Sequence, residues 1–237
     1  GGGPPLREAA TRSASDPQGL MQGEGDPPGP SNPGAPVPAT DDEIREKYLE
    51  RAIREMNALT RDIQSCRHCP RGSLMPVLGS GHPQADVLLL KYAPQVAEIE
   101  EGVAFYGRSG TALRKSLGRL GVDPLAVYGT LCVKCPVGDG ALADPICVAR
   151  VTEEIAIVQP RLIVVMGEDA LATLNDLDLP LSGPVLWDPG AIQHLTPSID
   201  VLVTPNIDES LDEEDAKRAF WAAFRTLGDW WADLPPY

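Results

Sequence analysis

Four short, predominantly apolar stretches constrain this chain more than any other feature: residues 87–90, which are apolar throughout, 127–133, 162–166 and 201–204. A strand with one wet face alternates polar and apolar residues. A continuous apolar run therefore reads as a strand buried on both faces, which requires helices above and below it. Helical patterns stand between the runs, at 111–120 with Gly121 placed to cap it, at Pro145–Val158, at 167–174 and at 212–227. The last carries Ala219, Phe220, Ala223 and Phe224 on one stripe. Strands alternating with helices predict an α/β chain with a parallel sheet covered on both faces.

A further helix is announced by Thr40-Asp41-Asp42-Glu43, which has the spacing of a capping box. Ile44, Tyr48, Ala52, Met56, Leu59 and Ile63 follow at helical intervals, so this helix should run to about Ser65. The 38 residues before Ala39 and Thr40 hold only four large aliphatic or sulfur side chains, Leu6, Leu20, Met21 and Val37. Such a segment buries too little apolar surface to offset the entropy of ordering, so residues 1–39 are expected to form a disordered Pro/Gly-rich tail and 40–237 one domain.

The chain has 34 acidic and 20 basic residues, a formal net charge of −14. That balance argues against attachment to nucleic acid or an anionic membrane by bulk electrostatics. No apolar run approaches the roughly 18 residues of a membrane span. The five cysteines, two of them in a Cys-x-x-Cys pair, point to an intracellular metal site rather than a disulfide framework. The expectation is a cytoplasmic, monomeric protein.

Cys66 and Cys69 share one turn, Cys135 follows a strand, and Cys147 lies at the start of the next helix. Strand ends and following loops of a parallel sheet meet on one edge, so these four thiols can converge. Four soft thiolates suit a [4Fe–4S] cluster. Structural zinc fits a different pairing, Cys66-x-x-Cys69 with Cys132-x-x-Cys135. A third reading makes Cys132 and Cys147 ordinary buried side chains.

From Cys66 to Leu227 the chain resembles the family-four uracil-DNA glycosylases, which carry an iron–sulfur cluster. The residues behind the resemblance are Cys66-x-x-Cys69, Ala93-Pro94 after the first strand, Phe105-Tyr106-Gly107-Arg108-Ser109-Gly110, Val133-Lys134-Cys135, Gln159-Pro160-Arg161, and Met166-Gly167. It implies a three-layer α/β/α sandwich with a four-stranded, mainly parallel sheet. It also implies cluster ligands Cys66, Cys69, Cys135 and Cys147, leaving Cys132 as a strand residue. The implied activity is base-excision repair, in which a base flipped from DNA enters a pocket at the strand ends and its N-glycosidic bond is hydrolysed. Phe105 matches the stacking aromatic, Ala93, Pro94 and Leu131 the other base-contacting positions, and Arg108 and Ser109 the DNA-contacting loop.

The chain departs from that family where the chemistry is done. The Gly-Glu-Ala-Pro-Gly motif reads Lys91-Tyr92-Ala93-Pro94-Gln95, so Tyr92 stands at the water-orienting position, and Lys91 must point elsewhere or crowd the pocket. Leu131 replaces the amide that reads the base edge. Thr204 replaces the histidine that donates to the departing base, offering one neutral hydrogen bond for a stronger one. Glu98 matches a family carboxylate able to position water. His68, His82 and His194 match no catalytic position. Segment 208–215 holds six carboxylates, Asp208, Glu209, Asp212, Glu213, Glu214 and Asp215, where the family reaches toward the duplex, and these should weaken DNA binding. The alternative is a non-catalytic iron–sulfur protein of the same fold that engages a protein partner.

Overall fold

The computed structural model describes Gly1, residues 40–136 and residues 144–235. The tail expected over residues 1–39 therefore lies, Gly1 apart, outside the described residues. The domain opens with α1 (Asp41–Ser65), whose capping box forms as its spacing predicts: Thr40 Oγ1 accepts from the Glu43 amide at 3.3 Å and the Glu43 carboxylate accepts from the Thr40 amide at 2.8 Å. Beyond it follow β1 (Ser80–Gly81), β2 (Val87–Lys91), α2 (Val96–Glu101), α3 (Gly107–Leu120), β3 (Val127–Leu131), α4 (Pro145–Val158), β4 (Leu162–Met166), α5 (Glu168–Asn175), β5 (Ile192–Thr196), β6 (Ile199–Thr204), α6 (Glu214–Phe224) and α7 (Thr226–Ala232). None of the helices among the described residues is long and apolar enough to cross a membrane.

The sheet has the order β1-β3-β2-β4-β6-β5. Its four inner strands are mutually parallel and are the four apolar runs; β1 and β5 add antiparallel edges. The edges escape a reading based on apolar runs because β1 is two residues long and β5 buries only Leu195. Strand alternation divides the core in two. Leu88, Leu90, Ile163, Val165, Val201 and Val203 face Val151, Ile155 and Leu171 on one side. Val87, Leu89, Leu162, Val164 and Leu202 face Leu113, Leu117, Phe220, Phe224 and Leu227 on the other. The result is an α/β/α sandwich. Phe224 is fully buried and stacks on Phe220 at 5.1 Å between ring centroids. Phe224→Ala is expected to lower stability by about 3–5 kcal/mol, measured by urea unfolding.

Several boundaries differ from the sequence reading: the helix expected at 111–120 begins at Gly107 and the strand expected at 201–204 begins at Ile199. The pattern over 212–227 breaks at Arg225 into α6 and α7. The second apolar run leaves the ladder after Leu131, where Cys132 and Val133 donate to the carbonyls of Lys91 and Tyr92 in a continuing loop at 2.9 and 2.8 Å. The first run extends by one residue, to Lys91. This last residue shapes the site.

Candidate functional site

The parallel register lines up Leu131, Lys91, Met166 and Thr204 as one row across the carboxyl ends of β3, β2, β4 and β6. In an open α/β sheet this edge is where a ligand crevice forms. Here all four side chains are buried, at 0–1 % exposure. The Lys91 ammonium donates to Glu98 Oε2 at 2.6 Å and to Asp208 Oδ2 at 2.7 Å, and lies 5.5 Å from the centroid of the Phe105 ring. One lysine thus ties the end of β2 to α2 and to the loop after β6.

Glu98, expected as a candidate to position water, is fully buried. Its carboxylate accepts from Lys91, from the Gln95 amide at 2.7 Å and from the Phe105 amide at 2.5 Å. It is a structural junction withdrawn from solvent. The Thr204 hydroxyl is directed at backbone carbonyls, Pro205 at 3.1 Å and Val165 at 3.4 Å, and is buried away from any base. Leu131 packs with Val77, Ala104, Ile99 and Phe105. Ala93 and Pro94 are half-buried. Tyr92 lines a separate crevice of about 330 Å³ with Gly167, Trp187 and Asn206.

Phe105 is half-buried, with its backbone in the left-handed region at φ 57°. Its ring lies against β3 where Gly129 leaves room, since a Cβ there would stand 2.5 Å from Phe105 Cδ2. Outside Phe105 opens a surface hollow bordered by Tyr106, Arg108, Arg114 and Lys115. Arg108 is exposed and pairs with Asp212 at 2.6 Å. Ser109 is 3 % exposed inside the first turn of α3, so it does not present a hydroxyl to a DNA backbone.

The acidic segment is not the uniform wall of charge its composition suggests. Asp208 turns inward to Lys91, Asp212 pairs with Arg108, Glu214 with Lys217 and Asp215 with Arg218. Four of the six carboxylates have cationic partners, although the three outer pairs are exposed and contribute little.

A second centre lies beside the strand ends. The sulfur atoms of Cys69, Cys135 and Cys147 lie within 4.8 Å of one another. Cys66 stands outside that triangle but lines the same small cavity, together with Ile63, His68 and Ile146. Buried Arg71 holds the loop between the two Cys-x-x-Cys residues by donating to the carbonyls of Gln64 and Cys66, each at 3.0 Å. The Lys134 amide donates to Cys147 Sγ at 3.2 Å. A hydrogen bond from the Cys135 thiol, helped by that amide, draws the Cys147 thiol down to about 6; the same contact pushes Cys135 up. Burial raises the Cys69 thiol, and burial also lifts that of Cys132, to about 12.

The donor set fits a thiophilic metal centre. It consists of soft sulfur ligands, and the hydrogen bond from the Cys135 thiol draws the Cys147 thiol below its usual range, toward the ligating thiolate form. Arg150 lines the same cavity, and its Nε is buried without a hydrogen-bond partner among the described residues, a donor that suits an anionic group there. Cys132 is fully buried in the core, apart from the triangle. Behind the thiols, Lys134 Nζ donates to Glu154 at 2.7 Å, Thr130 at 2.8 Å and the Leu131 carbonyl at 3.0 Å. Glu154 also accepts from Thr130 and Tyr128 at 2.8 and 3.1 Å. Burial foremost, and then the Glu154 carboxylate, raises the Tyr128 phenol.

Sequence reasoning missed this Lys134–Glu154 network and the partnership of Lys91 with Asp208. The available signal was a lysine closing each of two apolar runs, which must find carboxylates if it is buried.

A parallel sheet between helical layers, with its functional edge at the strand ends and a thiol centre alongside, defines a three-layer α/β/α protein of the crevice-at-the-edge class. Residues 78–227 match the Uracil DNA glycosylase superfamily, and the chain belongs to that superfamily. It is 29 % identical over 131 residues to the type-4 uracil-DNA glycosylase of Pyrobaculum aerophilum, covering 52 % of this chain and 66 % of that one. The type-4 enzyme of Sulfurisphaera tokodaii is 29 % identical over 121 residues, 47 % of this chain and 54 % of that one. That of Archaeoglobus fulgidus is 26 % identical over 131 residues, 53 % and 66 % of the two chains. The matched region thus spans between a half and two thirds of these relatives.

Proposed function

We propose that this chain is a DNA-repair protein of the glycosylase type, carrying a [4Fe–4S] cluster, in which release of uracil by hydrolysis of its N-glycosidic bond along the superfamily's usual route is closed off. The observation that carries this reading is Lys91, whose ammonium fills the strand-end edge between Glu98, Asp208 and Phe105. Excision breaks the bond between the sugar C1′ and the base nitrogen. Water adds to the carbon, and the departing base takes negative charge that a donor must stabilise. Tyr92, Leu131 and Thr204 supply neither the carboxylate, the amide nor the charged donor for those roles. Phe105, with Arg108 and the cations beside it, remains as a surface for DNA. The proposed protein is cytoplasmic and monomeric.

The test uses uracil-containing single-stranded and duplex oligonucleotides, scored for alkali-labile sites. The natural chain is expected to leave uracil in place. A variant combining Lys91→Gly, Tyr92→Glu, Leu131→Asn and Thr204→His is expected to release it, with circular dichroism checking its fold. Release by the natural chain at a rate matching the variant's would overturn the proposal.

The cluster is assigned to Cys66, Cys69, Cys135 and Cys147. When bound it would supply a covalent cross-link joining the loop after α1, the loop after β3 and the start of α4. Protein purified without oxygen is expected to absorb near roughly 400 nm and to contain iron and sulfide in equal amounts. Cys135→Ser is expected to lose most of that absorption, whereas Cys132→Ser keeps it. Stoichiometric zinc without sulfide would instead support the structural-zinc alternative.

A further inference from the structure

Between α3 and α6 lies a groove of about 450 Å³, on the face of the sheet opposite α1 and α4. Its floor is apolar, built from Ile207, Phe220 and Leu211, and the Trp221 indole stands in one wall. The Arg119 guanidinium lies 5.9 Å from the centroid of that indole, a distance at which a cation is attracted to the ring face. The charged residues lining the groove are Lys115, Arg119, Lys217, Arg218 and Glu214. Four of these five are cations, in a chain whose acidic residues outnumber its basic ones by 34 to 20. The overall charge balance is reversed here, as it is in the adjoining hollow outside Phe105, which shares Lys115 with this groove.

Lys115 and Arg119 have no ion-pair partner within 4.0 Å among the described residues. Lys217 and Arg218 pair only with Glu214 and Asp215, one turn away on the exposed surface of α6. Such pairs are weak and exchange readily for a better partner. None of these cations takes part in the thiol centre or in the Lys91 network.

We propose that this groove docks a short acidic segment of a partner protein, which places one bulky apolar side chain on the floor and its carboxylates against Lys115, Arg119, Lys217 and Arg218. The apolar floor asks for an anchor that an inorganic anion lacks, and the cationic rim asks for negative charge that a plain apolar segment lacks. A nucleic-acid backbone meets the rim less well. Its phosphates offer no apolar group for the floor, and a backbone running on past the start of α6 would meet the exposed carboxylates of Asp212, Glu213 and Asp215. A peptide confines its charge to the groove. This docking does not depend on whether the strand-end edge hydrolyses a base.

The experiment is fluorescence anisotropy on the full chain with three labelled probes: the peptide Glu-Asp-Glu-Leu-Phe, the same peptide with Ser replacing Leu and Phe, and a 15-nucleotide single strand. The first peptide is expected to bind at least tenfold more tightly than the second. Its affinity is expected to fall by at least roughly tenfold in Lys115→Glu/Arg119→Glu and to weaken with added salt. Both substituted side chains are exposed, so the fold is retained, and Arg54→Glu/Arg61→Glu on α1, likewise exposed, serves as an equal-charge control with unchanged affinity. Trp221→Phe, which keeps an aromatic wall, is expected to bind within about threefold of the natural chain. Absence of binding, or equal loss in the α1 control, overturns the proposal. Tighter binding of the single strand, lost in the same double variant, overturns it in favour of nucleic acid.

Discussion

Replacing Lys91 by methionine is expected to lower the free energy of unfolding by about 3–5 kcal/mol, the range typical when one partner of a buried charge pair is removed. Lys91 is 1 % exposed, and its ammonium lies within 2.7 Å of both Glu98 and Asp208. Methionine fills much of the same volume, so packing is nearly preserved and the loss is electrostatic. Two carboxylates then face one another in a site that water scarcely reaches. Glu98 keeps its two amide donors, whereas Asp208 loses its lysine partner and the loop after β6 loosens. Urea unfolding gives the magnitude. Adding Glu98→Gln and Asp208→Asn to Lys91→Met removes the stranded charges and should recover more than half of the loss, as coupled sites in one network do. A loss below about 1 kcal/mol in the single variant would show that water already reaches the triad.

The Lys91 case also marks where sequence reading ends. The four inner strands were legible because strands buried on both faces are mostly apolar, and here such short runs alternate with helical patterns. The capping box at Thr40 was legible because its donors and acceptors are three residues apart. Convergence of cysteines followed from topology once the strands were placed, although spacing did not show that Cys66 sits outside the closest triangle. Lys91 was visible as an intruder in a glycine position. Its destination was not, because Asp208 lies 117 residues away and only the assembled sheet brings the two together. The acidic segment shows the same limit. Composition supplies the sign of each side chain but not its direction, and Asp208 points inward while its neighbours pair on the surface. The basic groove was equally hidden, since two of its cations come from α3 and two from α6.

Lys134→Met is expected to have an effect of similar size, about 3–5 kcal/mol, by the same removal of one member of a buried pair. Lys134 and Glu154 are each 1 % exposed and 2.7 Å apart. The difference lies in what the pair holds. Lys134 belongs to the segment that carries Cys135, and Glu154 belongs to α4, which carries Cys147 in its first turn. Their ion pair therefore clamps two of the three clustered thiols in place. Without the ammonium, Glu154 still accepts from Tyr128 and Thr130, so α4 stays against the sheet while the Cys135 segment is freed. On the proposed cluster assignment, iron and sulfide retained per chain should fall together with stability in Lys134→Met. They should stay at the natural level in Lys91→Met, whose contacts run to α2 and the loop after β6 instead. Glu154→Gln keeps an acceptor but removes the charge, leaving the lysine to be satisfied by Thr130 and the Leu131 carbonyl, and should fall between the two. Equal metal content in all three variants would mean that the thiols are positioned by their own loops, with Arg71 as the principal brace, and that the buried pair serves the sheet alone.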